Sequence, residues 1–291
     1  MEFREKGSLP QGCPAWLRWV ESCDSTNTWA MGHPAQLQHG DVVFTRQQTA
    51  GRGQQGRVWY APSGVITASF VLDKIPRDRL SGLSLAAGLA VVYAIEDLVP
   101  SLAEMLQIKW PNDVLIDGRK VAGVLCEAVL AQGRSAICAS RANSLDPEMY
   151  RVIVGVGLNR QADFTRIEFL QEGRQKEQIQ GLSAQRTQPI SLHEVAPNPP
   201  EDLLLLTQLR QYLLQTASLL TWGGGSEKTT GLERLLPALR DRDFLLGRAI
   251  TLNLDSEAIS GQAAGINELG QLLVHLGDGQ TCGFSTGRVE W

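Results

Sequence analysis

The sequence predicts an α/β domain followed by a small all-β barrel, and three observations carry that expectation. Strand-like and helix-like segments alternate between Leu17 and Asn159. A leucine-rich amphipathic stretch from Glu201 to Trp222 adds one long helix. Beyond residue 240 the chain breaks into short apolar runs separated by Gly, Asn and Asp, the pattern of a small barrel. The division is therefore expected at residues 1–240 and 241–291.

The elements follow in order. Leu17 to Val20 reads as a short strand leading into SCDSTNTWAM, where Asp24, Ser25, Thr26 and Asn27 are all good N-caps, so a helix starts there. Asp41 to Arg46 has strand character, and a Gly- and Gln-rich loop joins it to a second strand, GVITASFVLD. Leu80 to Leu98 is a buried helix. Asp117-Gly118 is a tight-turn dipeptide between IKWPNDVLI and RKVAGVLCEAVL, which predicts a hairpin. Val152 to Asn159 is a further buried strand. The polar segment from 163 to 200 reads as a frayed helix plus linker, and WGGGSEKTTG as a flexible interruption.

The 291 residues are 43% hydrophobic and 20% charged, which excludes a disordered chain. Lys+Arg at 27 against Asp+Glu at 31 argues against a protein that grips nucleic acid through its phosphates. The imbalance lies in the tail, where seven acids (Asp241, Asp243, Asp255, Glu257, Glu268, Asp278, Glu290) face three arginines. Five cysteines without a CxxC pair read as incidental thiols in a reducing compartment. The N-terminal MEFREKGSLP lacks the apolar run of a signal peptide, and Leu80 to Ile95 is too short to span a bilayer comfortably. A cytoplasmic protein without membrane contact is expected.

Two motifs carry chemistry. Gly51 to Gly56 matches GxGxxG, but a dinucleotide loop must open directly into a helix, and here Pro62, Gly64 and a strand follow. A P-loop fails because no Lys-Ser/Thr follows the glycines. Two readings remain, a plain surface turn or a loop that closes Arg52, Arg57 and backbone N–H groups over an anion. The second motif is KWPND. Lys109 between Ile108 and Trp110 is costly to bury without an anionic partner, and Pro111 stiffens its exit; the plain alternative is a strand lysine that snorkels to solvent. The four histidines lie far from any Ser or Cys motif. Any chemistry therefore rests on positioning and charge stabilisation, with the nucleophile brought by a substrate.

Taken in order, DSTN, QTAGRGQQGRVW, KWPND, KVAGVL, GVGLN and the C-terminal β-module resemble biotin protein ligases, from about Trp19 to the end of the sequence. The resemblance implies a mixed-sheet catalytic domain of the class II aminoacyl-tRNA synthetase type and an SH3-like barrel. Only about 20 residues precede DSTN, too few for the DNA-binding domain of larger relatives, so a monofunctional ligase that binds no DNA is expected. Its reaction would join biotin to ATP, with Mg²⁺, as biotinyl-5′-AMP. It would then pass biotin to a lysine of the biotin carboxyl carrier domain of acetyl-CoA carboxylase. By resemblance, Ser25, Thr26, Asn27, Gln48, Arg52, Gly53, Gln54, Lys109, Gly123 and Gly155 bind biotin. Arg52, Arg57, Asn112 and Asn159 serve the nucleotide, and Lys109 and Arg52 act in catalysis. No protein-held metal is expected, and the chain is expected to be a monomer or weak homodimer. The alternatives are a lipoate or octanoate ligase on the same fold, or a non-catalytic biotin-binding regulator.

One departure matters: the family loop commonly carries basic residues where Gln54 and Gln55 stand. Two missing charges beside a mixed anhydride would loosen its retention. Gln54→Arg is therefore expected to slow escape of the activated acyl-adenylate into solution, measured as release of biotinyl-AMP; an unchanged release rate excludes the idea.

Overall fold

Asp117 and Gly118 take φ of 49° and 70°, the backbone of a type I′ turn, and the strands on either side close into a hairpin. In this computed structural model residues 12–130, 148–164, 187–221, 231–254 and 257–291 are described. Cys138, most of the expected frayed helix (165–186) and the glycine-rich interruption (222–230) lie outside them. The larger sheet has seven strands, β1 (Leu17–Trp19), β2 (Val42–Thr45), β3 (Val65–Pro76), β4 (Leu106–Lys109), β5 (Asp113–Ile116), β6 (Arg119–Leu130) and β7 (Met149–Asn159). Their spatial order is β1-β2-β3-β7-β6-β5-β4. Only β1 and β2 run parallel; the other neighbours are antiparallel, so the sheet is mixed.

Period-two alternation sorts the side chains onto two faces. Phe70 and Leu72 of β3 and Val152 and Val154 of β7 join the main core, while the residues between them, Val71 and Ile153, belong to a second cluster with Ala30 and Leu37. Helices α2 (Leu83–Leu98) and α4 (Asp202–Thr221) pack against each other and cover the first face. In α2 the run Ala86-Ala87-Gly88 is buried, and a Cβ at Gly88 would touch Ile108 of the sheet. Helix α1 (Thr26–Gly32) lies on the second face, over β2, β3 and β7. A short helix, α3 (Leu192–Val195), begins at a capping box in which Ser191 and Glu194 satisfy each other's backbone N–H groups.

After α5 (Leu236–Asp241) the chain is sewn to the edge of the large sheet. The Ile108 N–H donates to the Arg242 carbonyl at 2.7 Å, and the Phe244 N–H donates to the Ile108 carbonyl at 3.0 Å. Strands β8 (Ala249–Asn253), β9 (Ala258–Ile266), β10 (Leu272–His275), β11 (Thr281–Phe284) and β12 (Arg288–Glu290) then form an antiparallel sheet in the order β11-β10-β9-β8-β12. One core cluster runs through both sheets and includes Ile108, Trp110, Phe244, Leu252 and Leu272.

Trp110 clamps the two sheets together. It is 1% exposed, and its indole N–H donates to the Gly270 carbonyl at 3.0 Å. Trp110→Phe deletes that donor and leaves a buried carbonyl short of a partner. It should cost about 1–3 kcal/mol in urea-unfolding free energy, and a loss below ~0.5 kcal/mol would show that the bond contributes nothing net.

A glycine-floored trough and its cations

Strand register places one row of residues across the second face of the sheet. Lys109 of β4 pairs with Asp113 of β5, Asp113 with Gly123 of β6, Gly123 with Gly157 of β7, and Gly157 with Thr67 of β3. Directly paired residues point to the same face, so this row carries a lysine and a carboxylate at one end and two glycines in the middle. The next row on that face runs Leu125, Gly155, Ser69. The first face of the same strands is filled with Val, Leu and Ile, whereas this one is hollowed out.

Lys120 enters the trough through an irregularity. Val114 pairs with Ala122 but Leu115 pairs with Lys120, so Val121 is an extra residue and β6 is bulged there. Strict alternation would set Lys120 and Gly123 on opposite faces; the bulge reverses Lys120. Its Nζ lies 2.5 Å from Asp113 Oδ1 and 5.2 Å from the centroid of the Trp59 ring. A side chain built at Gly123 would meet both Lys120 and Trp59.

The Gly-rich segment folds over the trough as a small hairpin. Arg52 and Val58 bridge across it, the Gly53 N–H donates to the Arg57 carbonyl at 2.7 Å, and the Trp59 N–H donates to the Gly51 carbonyl at 2.9 Å. At its tip Gln54–Gly56 form a single 3₁₀ turn, with Gln55 at φ 54°. The loop opens into no α-helix, which removes the dinucleotide reading. Trp59 drops onto the glycine floor: a Cβ at Gly157 would collide with its indole ring. The Trp59 indole N–H is buried without a hydrogen-bond partner among the described residues.

Behind Trp59 the start of α1 supplies a polar wall. Ser25, Thr26 and Asn27 are buried. The Thr26 N–H donates to Gln48 Oε1 at 3.0 Å, and the Ser69 hydroxyl lies 2.7 Å from Thr26 Oγ1 and 2.5 Å from Asn27 Oδ1. Asn27 Nδ2 donates to Glu127 Oε2 at 2.9 Å, and Arg52 closes on the same oxygen at 2.6 Å. Gly155 makes room for Asn27, whose Oδ1 would sit 2.5 Å from a Cβ there.

The structure thus brings Ser25, Thr26, Asn27, Gln48, Arg52, Lys109, Gly123 and Gly155 around one trough. Gly53 and Gln54 sit in its covering hairpin, and the Arg57 Nε–H donates to the Gln54 carbonyl at 3.0 Å. Asn112 and Asn159 stand behind it. Asn112 Nδ2 donates to the Val124 carbonyl at 2.6 Å, and Asn159 Nδ2 donates to the carbonyls of Lys120 (3.0 Å) and Ile190 (3.2 Å). Both amides brace the backbone that carries the lysines. Four groups escaped sequence reasoning: Lys120, Trp59, Ser69 and Glu127. Trp59 ends the loop motif and was visible as such; Lys120 was hidden by the bulge, and Ser69 and Glu127 by lying mid-strand among apolar residues.

The electrostatics favour an anion. Burial pulls the Lys109 ammonium down to about 8, partly opposed by Asp113 and reinforced by Lys120, Arg57 and Arg288. Burial also pushes the Cys23 thiol, next to Asp24, up to about 12, so that sulfur stays protonated and is no nucleophile. Among the described residues no three His, Cys, Asp or Glu side chains converge to hold a metal ion.

The chain is similar to known proteins in both of its sheets. Residues 19–140 match the biotin/lipoate A/B protein ligase family, which takes in β2 to β6 and the whole covering hairpin. Residues 245–290 match the biotin protein ligase C terminal domain. The two matches lie in order along the chain, one in each sheet, and together they mark its likeness to biotin protein ligases. It is 26% identical over 271 residues to the bifunctional ligase/repressor BirA of Escherichia coli, covering 92% of this chain and 71% of that protein. Over 139 residues it is 37% identical to the biotin–[acetyl-CoA-carboxylase] ligase of Paracoccus denitrificans, covering 47% of this chain and 51% of that one. Among solved structures, the Aquifex aeolicus biotin protein ligase in complex with biotin and ATP superposes with a TM-score of 0.68 at 23% identity, covering 94% of this chain and 97% of that one. The Leishmania major enzyme in complex with biotinyl-5-AMP gives 0.54 at 20% identity, covering 94% of this chain and all of that one. These structural likenesses establish the shared fold.

Gly157→Ala tests the trough directly. The added methyl evicts the Trp59 ring, so biotin affinity measured by calorimetry should fall at least about tenfold, on the order of 1.4 kcal/mol, while far-UV circular dichroism stays native. Undiminished affinity would place the ligand elsewhere.

Proposed function

We propose that the chain is an ATP-dependent biotin–protein ligase whose trough holds biotin and the adenylate while two substrates exchange an acyl group. A biotin carboxylate oxygen attacks the α-phosphorus of ATP, the bond to pyrophosphate breaks, and biotinyl-5′-AMP forms. The amine of a lysine on the carrier then attacks the acyl carbon, AMP leaves with its phosphate oxygen, and the amine gives up a proton. The acceptor proposed is the biotin carboxyl carrier domain of acetyl-CoA carboxylase, in keeping with the name of the Paracoccus relative.

The observation that carries this reading is the pair Lys109 and Lys120, set on the glycine-floored face beneath the Arg52–Arg57 hairpin. As a carboxylate attacks a phosphate, its own charge is drawn into the new bond while negative charge gathers on the phosphoryl oxygens and the departing pyrophosphate, and fixed cations stabilise that charge without reorganising. Lys109 and Arg52 are the groups proposed to act on it, with Arg57 on the nucleotide side. Ser25, Thr26, Asn27 and Gln48 offer the donors and acceptors that a ureido ring requires, and the open Trp59 N–H adds one more. Gly53 and Gln54 cover the ligand. Asn112 and Asn159 serve the nucleotide by holding the backbone beneath it. Asp113 and Glu127 are already paired with Lys120 and Arg52. A Mg²⁺ would therefore be held mainly by the ATP phosphates it accompanies, which suits its preference for phosphate oxygens and water.

Exchange of pyrophosphate into ATP, followed by transfer to a carrier domain, tests the reading. Biotin should drive both; exchange driven by lipoate or octanoate instead would establish the rival ligase, and biotin binding without transfer would establish a regulator. Lys109→Gln should slow adenylation by about 10²–10³-fold. Its folded pKa lies below that of an unfolded lysine. The unfolded chain therefore binds more protons between about 8 and the ordinary lysine value, and the charged group opposes folding below about 8. The melting temperature of Lys109→Gln at pH 7 should accordingly not fall, whereas parallel loss of stability and rate would make Lys109 a structural residue. In the parent enzyme adenylation should decline as pH rises through about 8, where Lys109 loses its proton. Lys109→Arg should shift that decline upward.

A further inference from the structure

Lys109 is held by the smaller sheet. Among the described residues no carboxylate comes within ion-pair distance of its ammonium, because Asp113, its partner in the strand register, is bonded to Lys120 at 2.5 Å. What Lys109 meets is an aromatic face: Nζ lies 4.0 Å from the centroid of the Trp291 ring, just beyond β12. Trp291 is braced in turn. Phe244 meets it edge-on at 5.3 Å with the rings 85° apart, and Arg248 covers Phe244 at 4.1 Å. This ladder of Lys109, Trp291, Phe244 and Arg248 stands beside the place where the Phe244 N–H donates to the Ile108 carbonyl at 3.0 Å. The ring that meets the lysine and the strand that carries it are therefore fixed to each other within two residues.

A lysine has a flexible four-carbon stem, and a bare ammonium beside another cation swings towards solvent unless something holds it. The negative face of an indole attracts a cation without neutralising it, and does so most strongly where water is excluded. A carboxylate in the same place would cancel the charge needed by an anionic substrate. We propose that Trp291 is a positioning residue for Lys109, through which the C-terminal β-module holds the sheet domain's lysine in its working place as a free cation. This rests on the reading in which Lys109 stabilises charge during acid activation. It gives the β-module a part in the first half-reaction, in addition to any part in meeting the carrier.

The charged groups facing Lys109 are Asp113 on β5, Lys120 on β6, Arg57 in the covering hairpin and Arg288 on β12. Trp291→Leu keeps an apolar cover over the ammonium but removes the ring face, and Trp291→Phe keeps a ring. The sequence has six lysines (Lys6, Lys74, Lys109, Lys120, Lys176, Lys228), few enough for each side-chain signal to be assigned by NMR in the full chain. In Trp291→Leu the Lys109 titration midpoint should drop by about half a unit to one unit, as expected for losing a cation–π contact. In Trp291→Phe it should drop by less. Biotin-dependent pyrophosphate exchange at saturating substrate should fall about three- to tenfold in the Leu variant, its alkaline decline moving down with the lysine, and recover in the Phe variant. The Leu substitution should have no further effect on rate in a Lys109→Gln background. An unmoved midpoint, or additive losses in the double variant, overturns the proposal. A midpoint that moves while the rate does not would instead remove the role given to Lys109 and leave the contact with Trp291 standing.

Discussion

The antiparallel pairing of β6 with β7 sets the place of every group in the trough. Gly123 opposes Gly157 and Leu125 opposes Gly155, so three glycines share one patch in the middle of the sheet. Glycines inside strands weaken them, since they bring no packing and lose the most backbone entropy. Here they are flanked on both sides by paired strands, β3 against β7 and β5 against β6, and the opposite face is closed by α2 and α4. The missing methyl groups are the room that Asn27 and Trp59 occupy, and a ligand entering the trough meets those two side chains rather than bare backbone.

On that floor the charges are arranged unequally. Lys120 and Arg52 each have a carboxylate at close range, Asp113 and Glu127, which offsets the cost of taking them out of water. Lys109 has an aromatic ring instead, and burial above all pulls its ammonium down to about 8. A cation kept without a counter-charge is poised to gain most when an anion arrives. The neighbouring thiol of Cys23 is driven the other way by burial. The site thus offers positive charge and holds its thiol protonated, in accord with a reaction whose nucleophiles are a carboxylate and an amine carried by substrates.

The two sheets are joined where this chemistry is placed. The segment from Arg242 to Phe244 extends the edge at β4, Trp110 reaches Gly270, and Trp291 returns to Lys109. No helix of the described residues is long and apolar enough to cross a membrane.

The sequence by itself determined the alternation of elements, the Asp117-Gly118 hairpin, the long helices and the small β-module, because hydrophobic period and turn chemistry are local properties. It also singled out Lys109, the Arg52–Arg57 loop and the DSTN cap, since a lysine between Ile and Trp or a glycine run ending in Trp is unusual wherever it stands. Tertiary structure decided the rest. Lys120 reaches the site only because an extra residue at Val121 reverses its face, and nothing in RKVAGVL announces a bulge. Glu127 and Ser69 matter through partners 100 and 42 residues away in the chain. Asn112 and Asn159 proved to be braces for backbone, a distinction that depends on which carbonyl each amide faces. Trp291 acquires its meaning from Lys109, 182 positions earlier, because register and domain docking, which no local window contains, bring the two together.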